Sequence, residues 1–204
     1  MAKLENDPVK SGLNGLEALI SRAGGAEKGM PPVEKWNPDY CGELPMEIRG
    51  DGTWFYMGTP IGRHSLVKLF SSVLRKDEDN ETYLVTPVER IKIIVEDAHF
   101  IIVEMNVHER EGNQVITFRT NMDDVFEAGP DHPVRFEIVE DNEGVKPYVK
   151  VRGRLEGLLA RSVMYELIAC GEEIEVEGKT MFSVRSNGEV FPIMLADELS
   201  ARSA

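Results

Sequence analysis

The sequence predicts an α+β fold in two parts, with antiparallel sheets and an internal duplication of a strand-helix-strand unit. Three observations support this prediction. Short strand-like segments recur between polar turns, which is typical of antiparallel sheets. Two other segments repeat apolar residues with the period of a helix. Each of these two segments carries an arginine near its start, and Arg63 falls on Arg161 when the chain is shifted along itself.

The chain is predicted to have three sections. Residues 1–35 would form a short helix, capped by Ser11 or Asn14, and a linker rich in glycine and proline. Residues 36–90 would form an N-terminal α+β domain, and residues 91–204 a larger C-terminal α+β domain. The hydrophobic content of 42% is enough to bury ordinary cores in a chain of 204 residues.

The N-terminal domain is predicted to contain a hairpin, a helix and a further strand. Met46–Arg49 and Trp54–Met57 would form the hairpin, because a Gly-Asp-Gly turn joins them. Five apolar residues at helical spacing then predict a helix with one buried face, namely Leu66, Leu69, Phe70, Val73 and Leu74. An acidic turn leads into a strand over Tyr83–Thr86, which Pro87 ends.

The C-terminal domain is predicted to be an antiparallel meander with one helix. Its strands would cover residues 91–95, 100–107, 115–120, 134–139 and 148–151. The helix is predicted over about Leu155–Cys170. A final hairpin would turn through Ser186-Asn187-Gly188, since Asn-Gly is the strongest short signal for a hairpin.

The two helical segments resemble each other. With Arg63 placed on Arg161, apolar residues also coincide at three positions, which pair Leu66 with Met164, Leu69 with Leu167 and Phe70 with Ile168. In each half a strand reaches a glycine, passes into the helix and leaves through an acidic turn. We therefore expect two similar halves that face each other. Clefts between domains often bind small ligands.

The charge of the chain excludes some classes of partner. Its formal net charge is −13 at pH 7. Binding to duplex nucleic acid needs clustered Lys and Arg, and an acidic surface repels anionic membranes. No apolar run is long enough to predict a transmembrane helix, and the N-terminus lacks a signal-peptide pattern. We expect a soluble, cytoplasmic protein.

Metal and cofactor sites are not predicted. Cys41 and Cys170 lie far apart without CxxC spacing, and the histidines show neither HxH nor HExxH spacing. The acidic turns lack the spacing of an EF-hand. In so acidic a protein, a place where arginines converge would attract small anions locally. The arginines are therefore the candidates for a binding site.

The turn Gly58-Thr-Pro-Ile-Gly-Arg63 leads from a strand into the first predicted helix. It lacks the Walker A pattern, because three residues rather than four separate its glycines and Arg-His follows. A helix start still offers unpaired N–H groups, and Arg63 could add a guanidinium for a phosphate or carboxylate. The alternative, which the sequence alone favours, is that Arg63 pairs with a nearby acidic residue and the glycines serve only the turn.

A second turn, Thr86-Pro-Val-Glu-Arg90, repeats the Thr-Pro-x-x-Arg spelling of Thr59–Arg63. This repetition makes Thr86 and Glu89 candidates for the site. The simpler interpretation is that proline ends the strand and that Thr86 suits the extended geometry before a proline.

Further candidates come from the strands and from the second helix. Strand alternation places Arg119 and Arg152 on polar faces, toward either a pocket or solvent. Arg161 is the counterpart of Arg63. Trp54 or Tyr148 could stack on a base. No Gly-x-Ser-x-Gly turn is present, and the sequence does not pair a nucleophile with a base, so an enzyme is poorly supported.

Ordered motifs between about Trp36 and Ile193 resemble a known family. They include Trp36-Asn-Pro, Cys41-Gly, Asp51-Gly-Thr-Trp54, Gly58-Thr-Pro-Ile-Gly-Arg63, Leu69-Phe70, Tyr83-Leu-Val-Thr-Pro-Val-Glu89, Val95-Glu-Asp97, Arg119-Thr-Asn121, Tyr148-Val-Lys-Val-Arg152 and Phe182-Ser-Val-Arg-Ser-Asn-Gly-Glu-Val-Phe191. They are similar to those of the bacterial family called domain of unknown function 1285 (DUF1285). The resemblance implies a two-part α+β fold with an internal duplication and a C-terminal part like pleckstrin-homology domains. It also implies a site for a nucleotide-like ligand between the parts, and a role in signal transduction or stress response.

The residues and the resemblance together predict a non-catalytic protein that binds a small anionic, nucleotide-like ligand. Two alternatives stay open. The first is a protein-interaction module that uses the pleckstrin-homology-like part. The second is an unrecognised hydrolase, for which His64 would be the only plausible base near a helix start.

Overall fold

The computed structural model describes residues 15, 17, 18, 20, 29–139 and 144–197. Residues 15, 17, 18 and 20 are helical, whereas the predicted caps of the first helix lie outside the described residues. The chain divides into two compact units. Unit 1 comprises Met1–Ala98 and Gly153–Leu155, and unit 2 comprises His99–Arg152 and Glu156–Ala204.

Unit 1 is built on a six-stranded sheet with the strand order β3-β2-β1-β6-β5-β4. Its strands are β1 (Tyr40–Ile48), β2 (Trp54–Tyr56), β3 (Thr59–Pro60), β4 (Leu74–Lys76), β5 (Thr82–Val85) and β6 (Arg90–Val95). Neighbouring strands are antiparallel except at the centre, where β1 and β6 run parallel. A 3-10 turn, Val33–Lys35, precedes β1.

Helix α1 (His64–Ser72) covers part of the unit 1 core, as its apolar period predicts. The helix ends before Val73, and Leu74, which was predicted to be helical, is the first residue of β4. Leu66, Val67 and Phe70 are buried, and the Phe70 ring stacks on Trp54 with 6.3 Å between ring centroids. Trp54 pairs with Ile48 across the β1–β2 hairpin. The hairpin and the helix therefore share one core, in which Trp54 and Tyr56 of β2 are buried.

Unit 2 contains a second six-stranded sheet, ordered β10-β11-β12-β7-β8-β9. Its strands are β7 (Phe100–Arg110), β8 (Asn113–Thr120), β9 (Val125–Glu127), β10 (Val134–Val139), β11 (Gly144–Arg152) and β12 (Leu155–Leu159). As in unit 1, the central pair is parallel, here β12 with β7. Both sheets are thus mixed, and the prediction of purely antiparallel sheets is wrong at these two pairs.

The two sheets have the same topology. In each sheet, the first and the last strand along the chain pair in parallel at the centre. The second and third strands follow outward on the side of the first strand, and the fifth and fourth strands follow outward on the side of the last. This similarity supports a duplication, but of the whole sheet. Arg63 lies between the third and fourth strands of its sheet, whereas Arg161 follows the sixth strand. The sequence shift that pairs these arginines therefore does not match equivalent positions.

The second helix is shorter than predicted. Helix α2 (Arg161–Ala169) begins at Arg161, and the preceding Leu155–Leu159 forms β12. Leu155, Gly157 and Leu159 are buried in alternation with half-buried residues, which is the two-residue period of a strand. The pairing of β12 with β7 satisfies the backbone of this segment and so overrides its helical interpretation.

The chain continues after α2 into a three-stranded antiparallel sheet. Its strands are β13 (Glu172–Val176), β14 (Lys179–Ser186) and β15 (Glu189–Leu195). Asn187 and Gly188 form the predicted turn of the last hairpin, with φ of 54° and 83°. Within the described parts of the chain, no helix is both long and apolar enough to span a bilayer.

Candidate functional site

The unit 1 residues predicted to bind a ligand have structural partners. Trp54 is only 2% exposed, so its indole faces are not available to a base. The Arg63 guanidinium, at the start of α1, forms an ion pair with Glu17. The Thr86 hydroxyl accepts hydrogen bonds from the N–H groups of Val88 (3.4 Å) and Glu89 (3.1 Å), which stabilises the turn between β5 and β6.

The unit 2 arginines also contact neighbours within the same unit. Arg119 pairs with Glu104 at 2.6 Å and with Asp123 at 3.4 Å. Arg152 pairs with Asp124 at 2.9 Å, and burial lowers the pKa of its guanidinium despite this pair. The Arg161 Nε donates to the Tyr165 hydroxyl at 3.2 Å.

Tyr148, the second residue predicted to stack on a base, is buried and only 4% exposed. The guanidinium of Arg135 lies 4.2 Å from the centroid of its ring. Arg135 is held in turn by Glu156, whose carboxylate accepts hydrogen bonds of 2.6 and 2.7 Å. One face of Tyr148 is therefore already covered by a cation.

A charged cleft in unit 1 is the candidate functional site, and we call it the β4–β5 cleft. Its volume is about 470 Å³, which is within the range of small-molecule sites. All seven lining residues are charged: Glu34, Lys76, Asp77, Glu78, Asp79, Arg90 and Arg154. Most of them come from the end of β4 and the turn into β5. None of the eight residues predicted from the sequence lines this cleft.

A buried arginine supports the floor of the β4–β5 cleft. Arg75, on β4, is only 7% exposed. It donates to the carbonyls of Val33 (2.9 Å) and Trp36 (2.7 Å) and to the Asp77 carboxylate (2.5 Å). Asp77 also accepts a hydrogen bond of 2.9 Å from Arg90. Asp77 is therefore neutralised by two guanidinium groups, and it fixes the position of Arg90.

Asp79 and Tyr83 form a second pair beside the cleft. The Tyr83 hydroxyl donates to Asp79 Oδ2 at 2.7 Å. This hydrogen bond, with burial, raises the pKa of Tyr83 to about 12. The same bond, together with the Glu81 N–H, lowers the pKa of Asp79. The guanidinium of Arg90 lies 5.0 Å from the centroid of the Tyr83 ring, so the pair is joined to the Asp77 network.

The remaining residues of the cleft divide into paired and unpaired charges. Arg154 pairs with Glu78 at 3.1 Å. The Glu34 carboxylate lies against the backbone of Gly153, whose φ is +50° and where a Cβ would collide with it. Among the described residues, neither Lys76 nor Glu34 forms an ion pair. The Arg90 Nε is buried and has no hydrogen-bond partner within the described chain.

The cleft therefore presents one unpaired charge of each sign, the Lys76 ammonium and the Glu34 carboxylate. Its acidic side chains do not form a metal site, because no group of three or more potential ligands is arranged for one among the described residues. The chemistry available to the cleft is the binding of a small charged molecule through hydrogen bonds and ion pairs.

Sequence reasoning missed this cleft for an identifiable reason. The acidic turn after β4 matches no binding motif, and its cationic neighbours Arg90 and Arg154 lie far away in sequence. One signal was present in the sequence. The repeated Thr-Pro-x-x-Arg pattern includes Arg90, which lines the cleft, but the candidates predicted from this pattern were Thr86 and Glu89.

The chain matches both domains of one family. The N-terminal domain of DUF1285, a domain of unknown function, matches residues 31–98, and its C-terminal domain matches residues 99–193. No curated protein matches the chain.

Two crystal structures of DUF1285 family proteins are similar to this chain. The protein from Silicibacter pomeroyi DSS-3 is 42% identical, with a TM-score of 0.79 over 89% of this chain and 97% of its own. The protein from Shewanella baltica OS155 is 26% identical, with a TM-score of 0.48 over 62% of this chain and 91% of its own. From the family match and the 42% identity, we conclude that the chain belongs to the DUF1285 family.

Proposed function

We propose that this protein is a non-catalytic ligand-binding protein whose β4–β5 cleft binds a small anionic molecule. The observation that carries the proposal is the Lys76 ammonium, which lines the cleft without a carboxylate partner among the described residues. Arg90 and Arg154 lie on the same cleft. A chain with a net charge of −13 offers few places that could attract an anion. We propose the cleft as such a place because Lys76 is unpaired there within the described chain, although its lining holds four carboxylates and three cations.

The incomplete hydrogen bonding of Arg90 supports the same proposal. A buried N–H group without an acceptor costs about 1–3 kcal/mol. An oxyanion or a water molecule that reached Arg90 Nε would remove this cost. Asp77 already holds the other end of the guanidinium at 2.9 Å, so Arg90 need not reorganise to accept a ligand.

A nucleotide-like ligand is one form that such an anion could take, but no aromatic residue lines the cleft for its base to stack on. Its phosphate would contact Lys76, and ribose hydroxyls would donate to a carboxylate of the cleft, as acidic residues do in dinucleotide sites. Trp54 and Tyr148 are not needed for this arrangement. A sensing role in signal transduction or stress response, and a cytoplasmic location, stay predictions that depend on such binding.

A thermal-shift series with AMP, ATP and inorganic phosphate tests the proposal. We expect at least one of these anions to raise the unfolding temperature of the wild type, and Lys76→Met to abolish the effect. Lys179→Met is the matched control, because Lys179 is an exposed lysine of unit 2. Arg63→Ala and Arg161→Ala should respond like the wild type.

Two outcomes would overturn the proposal. One is that no anion stabilises the wild type at low ionic strength. The other is that an anion still raises the unfolding temperature of Lys76→Met but not that of Arg63→Ala or Arg161→Ala. This result would show that the anion binds at the arginines predicted from the sequence.

A protein-interaction module is the second candidate function, with unit 2 as its pleckstrin-homology-like part. Val125, 64% exposed, and Tyr165, 56% exposed, are unit 2 side chains that such a partner could contact. Co-purification from the native host tests this candidate. A stoichiometric partner that Val125→Ser and Tyr165→Ser release would support it, and its retention by both variants would contradict it.

A further inference from the structure

The unpaired charges of the β4–β5 cleft also indicate what else the ligand carries. This inference rests on the proposed function, because it concerns the same site. Each of the other charged side chains that line the cleft has a partner: Asp77 has Arg75 and Arg90, Glu78 has Arg154, and Asp79 has the Tyr83 hydroxyl. Within the described part of the chain, only Lys76 and Glu34 are left without one.

We propose that the ligand is a small dipolar molecule, with an anionic group that pairs with Lys76 and an amine that pairs with Glu34. If the ligand carried only an anionic group, the Glu34 carboxylate would share the cleft with a second negative charge and would have no cationic partner. Like charges close together repel. An ammonium group removes the conflict and gains an ion pair with the same carboxylate.

The backbone at Glu34 is anchored independently of any ligand. The 3-10 turn Val33–Lys35 carries it, and Arg75 anchors this turn through the carbonyls of Val33 and Trp36. On its other side, the carboxylate lies against Gly153, where a side chain would displace it. The backbone that carries Glu34 is therefore anchored, and its exposed carboxylate is accessible to a ligand.

The composition of the cleft favours a hydrophilic ligand. All of the lining residues are charged, and none is aromatic or aliphatic. A large apolar ring would find no complementary wall there, whereas a short chain that joins two charged groups would remain compatible with every lining side chain.

Three phosphate monoesters that differ only in their short tails test the inference on the full-length protein. Phosphoethanolamine carries an amine, ethylene glycol monophosphate carries a hydroxyl, and ethyl phosphate carries neither. By calorimetry at low ionic strength, we expect phosphoethanolamine to bind about fivefold more tightly than ethyl phosphate, which is the scale of an exposed ion pair. The hydroxyl compound should lie between them.

Variants assign this preference to Glu34. In Glu34→Gln, the amide can still accept a hydrogen bond but has no charge, so the preference for the amine should disappear while ethyl phosphate still binds. Glu175→Gln, which neutralises an exposed glutamate of unit 2, is the control and should keep the preference.

The outcomes separate this inference from the proposed function. If all three esters bind equally to the wild type and Lys76→Met weakens all of them, the dipolar ligand is excluded but the anion site stands. If Glu34→Gln keeps the preference for the amine, the assignment of the amine to Glu34 is wrong, whereas the anion site at Lys76 stands. If none of the three esters binds and no anion stabilises the wild type, both proposals fail.

Discussion

Arg75 joins the β4–β5 cleft to the segment that precedes β1. Its side chain donates to two backbone carbonyls and to Asp77 while only 7% of the residue is exposed. We expect Arg75→Met to lower the free energy of unfolding of unit 1 by about 2–3 kcal/mol, because the variant leaves the carbonyls of Val33 and Trp36 without this donor and removes one guanidinium partner of Asp77, which keeps Arg90. Urea unfolding followed by circular dichroism measures this loss.

Arg49→Met is the control for that experiment. The Arg49 side chain is 48% exposed, and its ion pair with Glu47 is 3.7 Å long. Such surface pairs contribute about 1 kcal/mol at most. Equal losses in the two variants would contradict the structural role that we assign to Arg75.

The hydrogen bond between Tyr83 and Asp79 makes stability depend on pH in two windows. The pKa of Tyr83 is raised from 10.0 to about 12, so its stabilising contribution is present below pH 10 and is lost as the pH rises toward 12. The pKa of Asp79 is lowered from 3.8, so its contribution is present above that value and is lost as the pH falls below it.

We therefore expect the stability difference between the wild type and Tyr83→Phe to be constant from about pH 5 to pH 9 and to shrink on both sides. Thermal unfolding across this range, recorded for both proteins, measures the difference. Tyr165→Phe, at an exposed tyrosine of α2, is the control. A difference that grows above pH 10 would show that the direction assigned to Tyr83 is wrong.

At the scale of elements, the parallel pair of β7 and β12 depends on a glycine. A Cβ built at Gly157 would lie 2.8 Å from Ile102 Cδ1 and 3.3 Å from Val151 Cγ2. Ile102 is fully buried, so it has little room to move. We expect Gly157→Ala to destabilise unit 2 by about 1–3 kcal/mol through overpacking.

A double-mutant cycle tests that explanation. Ile102→Val removes the colliding methyl group and should cost about 1 kcal/mol alone. If overpacking is the cause, the double variant should be more stable than the sum of the two losses predicts, by about 0.5 kcal/mol or more in urea unfolding. Strict additivity would contradict the proposed collision.

The elements differ in how far their sequences determine them. Helix α1 was predictable because Leu66 and Phe70 belong to a sustained apolar period. The final hairpin was predictable because Asn187-Gly188 specifies its turn. β12 was not, because Leu155–Leu159 is a short apolar segment that suits a strand or a buried helix equally. β12 is a strand because it pairs with β7, which lies more than forty residues earlier in the chain.

The same limit applies to the candidate site. Lys76, Asp77, Glu78 and Asp79 are adjacent in sequence, and an acidic turn is most often only solvated. What distinguishes this turn is the arrival of Arg90 from β6 and of Glu34 from the 3-10 turn, which only the folded chain brings together. Strand alternation, by contrast, places Arg119 on the polar face of β8, where its side chain is 39% exposed.

At the scale of the whole molecule, both units repeat one sheet topology, in which the first and last strands pair in parallel. The sequence suggested a duplication, but the shift that it suggested joins positions that are not equivalent. A degenerate repeat preserves the burial pattern of its strands better than its loops. Helix α1 lies between the third and fourth strands of its sheet, whereas α2 follows the sixth strand of its own. Aligning the two helices therefore does not align the two sheets.

The net charge of −13 gives a last prediction for the whole molecule. Self-repulsion destabilises the compact state, whereas exposed ion pairs such as Arg154 with Glu78 contribute about 1 kcal/mol at most. Added salt screens both effects, since the Debye length falls from about 30 Å at 0.01 M to about 10 Å at 0.1 M. We expect repulsion to dominate, so NaCl should raise the unfolding temperature of the free protein by about 2–4 °C, as a gain of about 1 kcal/mol does in a protein of this size.

Ligand binding should respond to salt in the opposite direction, because the β4–β5 cleft acts through Lys76 and Glu34 across a solvent-accessible space. Calorimetric titration with phosphoethanolamine at 10 mM and 300 mM NaCl, beside thermal unfolding at the same concentrations, measures the two responses on one sample. A common denaturing or stabilising effect of the salt would move stability and affinity together. We expect salt to raise the unfolding temperature and to weaken binding, and we expect Lys76→Met to lose the salt dependence of binding. This result would show that the salt-sensitive binding occurs in the cleft, whereas the salt-sensitive stability comes from the net charge of the chain.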